Sequence, residues 1–205
     1  MQKLGDEHIN KVTVMERDAE ALGKKFFHVN IGQLFVCREV AVIQTLLGSC
    51  ISACLYDPAA KVCGMNHILL PGKADLQKFD DTARYGINAM ELLINEMSKL
   101  GALRSRLKAK VFGGGHVLTT VPIDRSPGRK NVKFVMDYLN FEKIPLICKD
   151  TGGNWTRILH FHTDTFEIFV KKLQLSAKAR LFAEEEKYSR MIKKNLAKAG
   201  DVTLF

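Results

Sequence analysis

Three short apolar runs between Leu34 and Leu70, each cut off by turn residues, constrain the fold of this chain more than any other feature. Leu34 to Leu47 is rich in Val, Ile, Leu and Phe and reads as one or two strands interrupted near Arg38-Glu39. Gly48-Ser49 breaks that run. Cys50 to Tyr56 follows and is ended by the turn signal Asp57-Pro58. Val62 to Leu70 is the third run, closed by Pro71-Gly72. The linker Asp57-Pro58-Ala59-Ala60-Lys61 between the second and third runs predicts a hairpin.

The period then changes. Ala83, Ile87, Met90, Ile94 and Met97 recur at helical spacing, Asp80 or Asp81 can cap the start, and Gly101 follows the end. Leu107 to Phe112 reads as a strand entering Gly113-Gly114-Gly115. Gly128 to Phe141 reads as a second helix with Val132, Val135, Met136 and Leu139 on one face. Pro145 to Cys148, Thr156 to Phe161 and Phe166 to Leu173 read as strands, and residues 176–198 as a charged terminal helix. Strands grouped around two main helices predict an α+β fold, with mixed or antiparallel sheets layered against helices, in a single domain with a C-terminal helix. The organisation expected is a partly ordered lead-in over 1–30, a domain over 31–175 and a basic helical extension over 176–205.

The chain of 205 residues is long enough to bury a full core without staples. Its five cysteines are odd in number and irregularly spaced, and Cys50, Cys54 and Cys63 lie in apolar surroundings. That pattern fits a reducing cytoplasm better than a disulfide scaffold. No stretch approaches a membrane span, and Met1 to Lys25 lacks the apolar core of a signal peptide, so neither membrane insertion nor export is expected. The formal net charge is +9, and Lys171 to Phe205 carries nine Lys or Arg against four Asp or Glu. With few aromatics to stack bases and three glutamates diluting the charge, this tail reads as a solvated helical face or a docking site for an acidic protein. Nucleic-acid binding is not expected.

The residues able to carry chemistry cluster between Thr45 and Pro71. Cys50 follows the Gly48-Ser49 break at a strand start. His67 lies seventeen positions later, on the run that pairs with the Cys50 strand. A Cys–His pair is the minimum for thiol nucleophilic catalysis. An adjacent imidazolium stabilises the thiolate, and the imidazole can return the proton to a departing amine. Thr45, through its hydroxyl or carbonyl, and Asn66 are the local candidates for orienting the imidazole. Backbone N–H groups near Ser49 and Cys50 could receive an oxyanion. A buried cysteine beside a satisfied core histidine would leave the same sequence trace. The two readings separate on whether the sulfur lies within reach of the ring or is sunk in hydrocarbon.

Other patterns carry less. Cys50, Cys54, Cys63 and His67 form a metal-like series, but Cys50 and Cys54 would stand about 13 Å apart on an extended strand, at roughly 3.3 Å per residue. A tetrahedral ion needs its ligand atoms within about 2.3 Å. Cys54 and Cys63 are therefore read as small core hydrophobes, and no metal or cofactor is expected. Gly113-Gly114-Gly115-His116 lacks the spacing of a phosphate loop and reads as a close-approach turn near the active centre. His160 and His162 share one strand face and read as two exposed histidines.

At these same residues the sequence resembles the CheD family, the chemoreceptor glutamine deamidases of bacterial chemotaxis. Leu47-Gly48-Ser49-Cys50, Cys54-Leu55-Tyr56-Asp57-Pro58 and Gly64-Met65-Asn66-His67-Ile68-Leu69-Leu70-Pro71 carry the resemblance. It continues at Arg84-Tyr85, Asn88 to Ile94, Lys110 to Gly114, Gly128 to Val132 and Asp150 to Gly153, and spans roughly residues 30–173. The resemblance implies that Cys50 attacks the side-chain amide of a receptor glutamine, that His67 supplies the proton to ammonia, and that water hydrolyses the thioester to leave glutamate. It implies a catalytic threonine shortly before the cysteine, for which Thr45 is the nearby residue. It also implies chemoreceptor cytoplasmic domains as partners and a CheC-type phosphatase as a possible one. The chain departs from the family pattern at Arg129-Lys130, where an acidic residue is common, and at Thr156-Arg157, where Gly-Arg often stands. Both departures bear on docking rather than on the Cys–His pair.

Overall fold

The computed structural model describes residues 23–70, 72–74, 76, 80–117, 122–173 and 178–199. Among these residues nine strands form two sheets: β1 (Lys25–His28), β2 (Leu34–Cys37), β3 (Ala41–Leu47), β4 (Ile51–Asp57), β5 (Val62–Asn66), β6 (Lys108–Gly113), β7 (Leu146–Thr151), β8 (Thr156–His162) and β9 (Ile168–Leu173). The helices are α1 (Asp81–Lys99), α2 (Pro127–Phe141) and α3 (Lys178–Ala199). One sheet has the order β1-β3-β8-β9 and the other β2-β5-β4-β6-β7. β1 runs parallel to β3 and β7 parallel to β6, while the other pairings are antiparallel. The α+β reading with mixed sheets and a C-terminal helix holds. One βαβ unit, β6-α2-β7, sits inside it.

β4 explains the layering. All seven of its residues are buried, so both of its faces must be covered. Ile51, Ala53 and Leu55 face α1 and α2, in a core with Met90, Leu93, Ile94, Val135 and Leu139. Cys50, Cys54 and Tyr56 face the other sheet, in a second core with Ile43, Leu47, Leu159 and Phe161. The order of layers is therefore sheet, sheet, helices.

The predicted hairpin forms. Asp57 accepts hydrogen bonds from the Ala59 and Ala60 N–H groups, and Lys61 takes a positive φ of 53° to close the turn. Burial pushes the Asp57 carboxyl up, but bonds from Arg106, Leu103, Ala60 and Ala59 outweigh it and bring the pKa down to about 2. α1 begins where Asp80 accepts from the Ala83 N–H at 2.7 Å. It buries Ala83, Gly86, Met90, Leu93, Ile94 and Met97 along one stripe, each of the large ones contributing about 1.5–3 kcal/mol by burial. It stops at Gly101, whose φ of +96° no β-carbon favours.

Several boundaries moved. α2 begins at Pro127, which suits the first helical turn because proline has no N–H to satisfy. Phe134 and Tyr138 join Val135 and Leu139 in its buried face. Lys25–His28, inside the expected lead-in, pairs with Ala41–Gln44 in parallel. Val62 to Leu70 is strand only to Asn66. Beyond it the His67 backbone turns to Gln33 and Gly32, and Ile68 returns to bridge Ile51.

Candidate active site

Thr45 and His67 meet between the two sheets, and the strand register sets Cys50 on the same face as His67. The β4–β5 register, continued through the Ile51–Ile68 bridge, sets Ser52 opposite His67. Side chains alternate along strands, so Cys50 shares a face with Ser52 and lies diagonally across from His67. Such diagonal positions stand about 7–8 Å apart at the backbone, within reach of an imidazole. Thr45 comes from β3 in the other sheet, and its hydroxyl oxygen lies 2.8 Å from His67 Nδ1.

The tautomer follows from counting donors. The Thr45 hydroxyl donates its one proton to the Val29 carbonyl at 2.7 Å. Its oxygen can then only accept from His67, so Nδ1 carries the proton and Nε2 presents a lone pair. Nε2 is buried and has no hydrogen-bond partner among the described residues. Burial brings the His67 pKa down to about 4 against a smaller upward pull from the Val29 carbonyl, so the ring is neutral near pH 7. The hydroxyl of Thr45, of the two groups it could offer, is thus the one that meets the imidazole. Asn66 is not brought to the ring: it accepts from the Ala53 N–H and donates to the Ala89 carbonyl, on the helix side of β5. Adjacent strand residues point to opposite faces, which is why Asn66 and His67 diverge.

Cys50 is fully buried, but not in hydrocarbon alone. Its thiol donates to Glu185 Oε1 of α3 at 3.2 Å. The same Oε1 accepts from the Ser49 N–H at 2.9 Å and from the Cys50 N–H at 3.3 Å. Glu185 Oε2 accepts from the Ser49 hydroxyl at 2.5 Å. Two adjacent backbone N–H groups beside a thiol, converging on one oxygen, have the geometry of an oxyanion hole. Ser49 and Cys50, the residues whose N–H groups the sequence reading named as oxyanion donors, both point them at this one oxygen. Burial, then the Glu185 charge and its hydrogen bond, push the Cys50 thiol well above its ordinary pKa. The imidazolium-stabilised thiolate expected from sequence is therefore not the resting state, since both partners are neutral beneath α3.

The loop around Cys50 is held by residues with no catalytic signature. Asn131 of α2 is fully buried. It donates to the Ser49 carbonyl at 2.8 Å and accepts from the Leu70 N–H at 3.0 Å. It thereby ties the segment before the nucleophile to the segment after His67. The only sequence signal for this was its place in the Gly128-to-Val132 block. The glycine turn packs as read: Gly114 N–H bonds the Cys50 carbonyl at 2.6 Å and Gly115 N–H the Gly48 carbonyl at 2.8 Å. A β-carbon at Gly113 would lie 2.4 Å from the Cys50 carbonyl oxygen, so only glycine allows that approach.

Cys54 lies in the inter-sheet core, its thiol pushed up to about 12, chiefly by burial. Cys63 is buried beside it. No group of three or more His, Cys, Asp or Glu among the described residues is arranged to hold a metal ion. His160 departs from its reading as exposed. It is 6% exposed, on an inner strand of its sheet, and its Nε2 has no partner among the described residues.

Residues 69–172 match the family model described as CheD chemotactic sensory transduction. A protein of Shewanella oneidensis named "Probable chemoreceptor glutamine deamidase CheD 1" is 44% identical over 176 residues, covering 85% of this chain and 84% of its own. One of Chromobacterium violaceum, named as CheD 2 of the same kind, is 42% identical over 85% of this chain and 87% of its own. One of Dechloromonas aromatica, named as CheD 1, is 38% identical over the full length of both. The model and these relatives, whose matches span most of both chains, show that this chain belongs to the CheD family of chemotactic sensory transduction proteins.

Proposed function

We propose that the protein is a cysteine-dependent protein-glutamine deamidase acting on chemoreceptor cytoplasmic domains in the cytoplasm, with Cys50, His67 and Thr45 as its catalytic residues. His67 Nε2 takes the thiol proton, and Cys50 Sγ attacks the glutamine Cδ. The carbonyl oxygen, now an oxyanion, moves into the Ser49 and Cys50 N–H groups. His67 returns the proton to the leaving nitrogen, ammonia departs, and a thioester remains. Water then adds with His67 as base, the C–S bond breaks, and glutamate leaves.

The observation that carries this reading is a carboxylate seated on both N–H groups beside the thiol, with an imidazole nitrogen on the same strand face that has no partner among the described residues. The names of the relatives supply the substrate class. Among the described residues no helix is long and apolar enough to cross a membrane, in keeping with the proposed cytoplasmic site of action. The test is incubation with a receptor cytoplasmic fragment, reading ammonia and the amide-to-acid mass change. Turnover should fall by orders of magnitude in Cys50→Ala, up to about a million-fold as in hydrolases whose nucleophile is removed. Undiminished turnover in that variant refutes the mechanism.

The covered thiol favours one second reading, a regulator that binds receptors or a CheC-type phosphatase with little catalysis. On that reading the double change Cys50→Ala with His67→Ala preserves both partner binding and the chemotactic response.

A further inference from the structure

Glu185 takes no part in the reaction above, yet it occupies the centre of the site. It is 4% exposed, and its carboxylate is met by two backbone N–H groups, a hydroxyl and a thiol. A buried carboxylate satisfied by neutral donors is costly unless those donors are preorganised for negative charge. An oxyanion hole is such a set. Glutamate is also the side chain that deamidation leaves behind, so Glu185 sits as the product would, one oxygen in the hole beside the sulfur.

Two further side chains of α3, Tyr188 and Ile192, turn inward on the same side of the helix. The Tyr188 hydroxyl lies 2.8 Å from that of Tyr85. A β-carbon at Gly32 would come within 1.8 Å of the Tyr188 hydroxyl oxygen, so the groove wall is cut to glycine there. Ile192, one turn on, is buried. The helix does not fill the groove. A cavity of about 310 Å³ lies beside it against Ser49, Leu69 and Lys130, and one of about 570 Å³ against Val29, Leu46 and His67. Glu185, Tyr188 and Ile192 fall at helical spacing, so the groove receives a helix through side chains on one stripe.

Building on the proposed deamidase reading, we propose that α3 is a built-in product mimic. Glu185 holds the oxyanion donors and covers Cys50, and α3 must withdraw before a helix presenting a glutamine can take its place. The groove's ligand class is then a helical segment bearing a carboxamide or carboxylate. The enzyme at rest is closed by its own C-terminal helix, and its apparent affinity for substrate is reduced by the fraction of molecules that are closed.

The test uses the full chain and four substitutions. The first readout is iodoacetamide labelling resolved by peptide, with exposed Cys148 as internal reference. Glu185→Ala should raise labelling of Cys50 by about tenfold if the closed form outweighs the open one roughly nine to one. Lys194→Ala, on the exposed part of the same helix, should not. A rise confined to Cys50 reports opening, whereas a rise that spreads to buried Cys54 and Cys63 reports unfolding and passes the decision to Glu185→Gln. This last variant places an amide where the carboxylate sat. Its residue 185 should convert from amide to acid within the intact chain, at a rate independent of protein concentration, and not when Cys50→Ala is added.

Unchanged Cys50 labelling in a folded Glu185→Ala protein overturns the inference whether or not the protein deamidates receptors. So does an amide at 185 that persists in a preparation active on a receptor fragment. Raised labelling without any receptor or self-deamidation retains the product-mimic helix as a cover and removes the deamidase reading.

Discussion

Replacing Thr45 by valine tests the site at its smallest point. The change keeps the volume and removes one hydroxyl, which links the Val29 carbonyl at 2.7 Å to His67 Nδ1 at 2.8 Å. All three residues are buried. Leaving both the carbonyl and the ring N–H unpaired would cost about 1–3 kcal/mol each. They are not far apart, however: Val29 O already lies 3.4 Å from Nδ1. The ring can swing to bond it directly, closing a gap of 3.4 − 2.8 = 0.6 Å relative to its present bond. Stability should then fall by only about 1–2 kcal/mol, a loss of roughly 2–8 °C in Tm for a domain of this size.

Activity should fall further than stability, because the swing moves Nε2 away from Cys50. A misplacement of that order costs up to about a hundredfold in kcat. Thr45→Ser, which keeps the hydroxyl, should stay within a few-fold of the parent. Ammonia release at saturating receptor fragment measures the rate, and nitrogen NMR of His67 reports which ring atom is protonated. Thr45→Val turning over within about threefold of the parent would refute the orienting role.

Two further outcomes are expected. Asn131→Ala should unpair the Ser49 carbonyl and the Leu70 N–H, lowering stability by about 2–5 kcal/mol and kcat along with it as the Ser49–Cys50 peptide loosens; denaturant titration and turnover check this, and a variant with parental kcat would exclude a positioning role. His67 and His160 both have pKa values brought down to about 4, His67 by burial and His160 by burial followed by the charges of His162, His28 and Lys171. Both are held neutral in the fold, so the stability they contribute is whole above about pH 6.5 and is lost as pH falls through 4, at about 2 kcal/mol each by pH 5. Asp57, with its pKa near 2, acts only below that window. His160→Gln should reduce the slope of unfolding free energy against pH by about one proton, and a stability flat from pH 7 to 5 would show that the two rings are not buried neutral.

The sequence by itself determined the strands beyond Lys25–His28, the two main helices and the hairpin, and singled out Cys50 and His67 as candidates, because apolar periods and turn residues act locally and report themselves locally. Alternation along β5 even decides between Asn66 and His67, once the direction of the core is known. What the tertiary structure decided came from sheets and helices distant in the chain. Thr45 is joined to His67 across two sheets, Asn131 clamps Ser49 from α2, and Glu185 reaches Cys50 from 135 positions away. The three glutamates at 184–186 read as solvent-facing charge, since composition cannot say which member of a run turns inward. The protonation of the pair was likewise decided only by packing. The same thiol and imidazole are reactive or silent according to whether water and a cation, or a buried carboxylate and apolar walls, surround them.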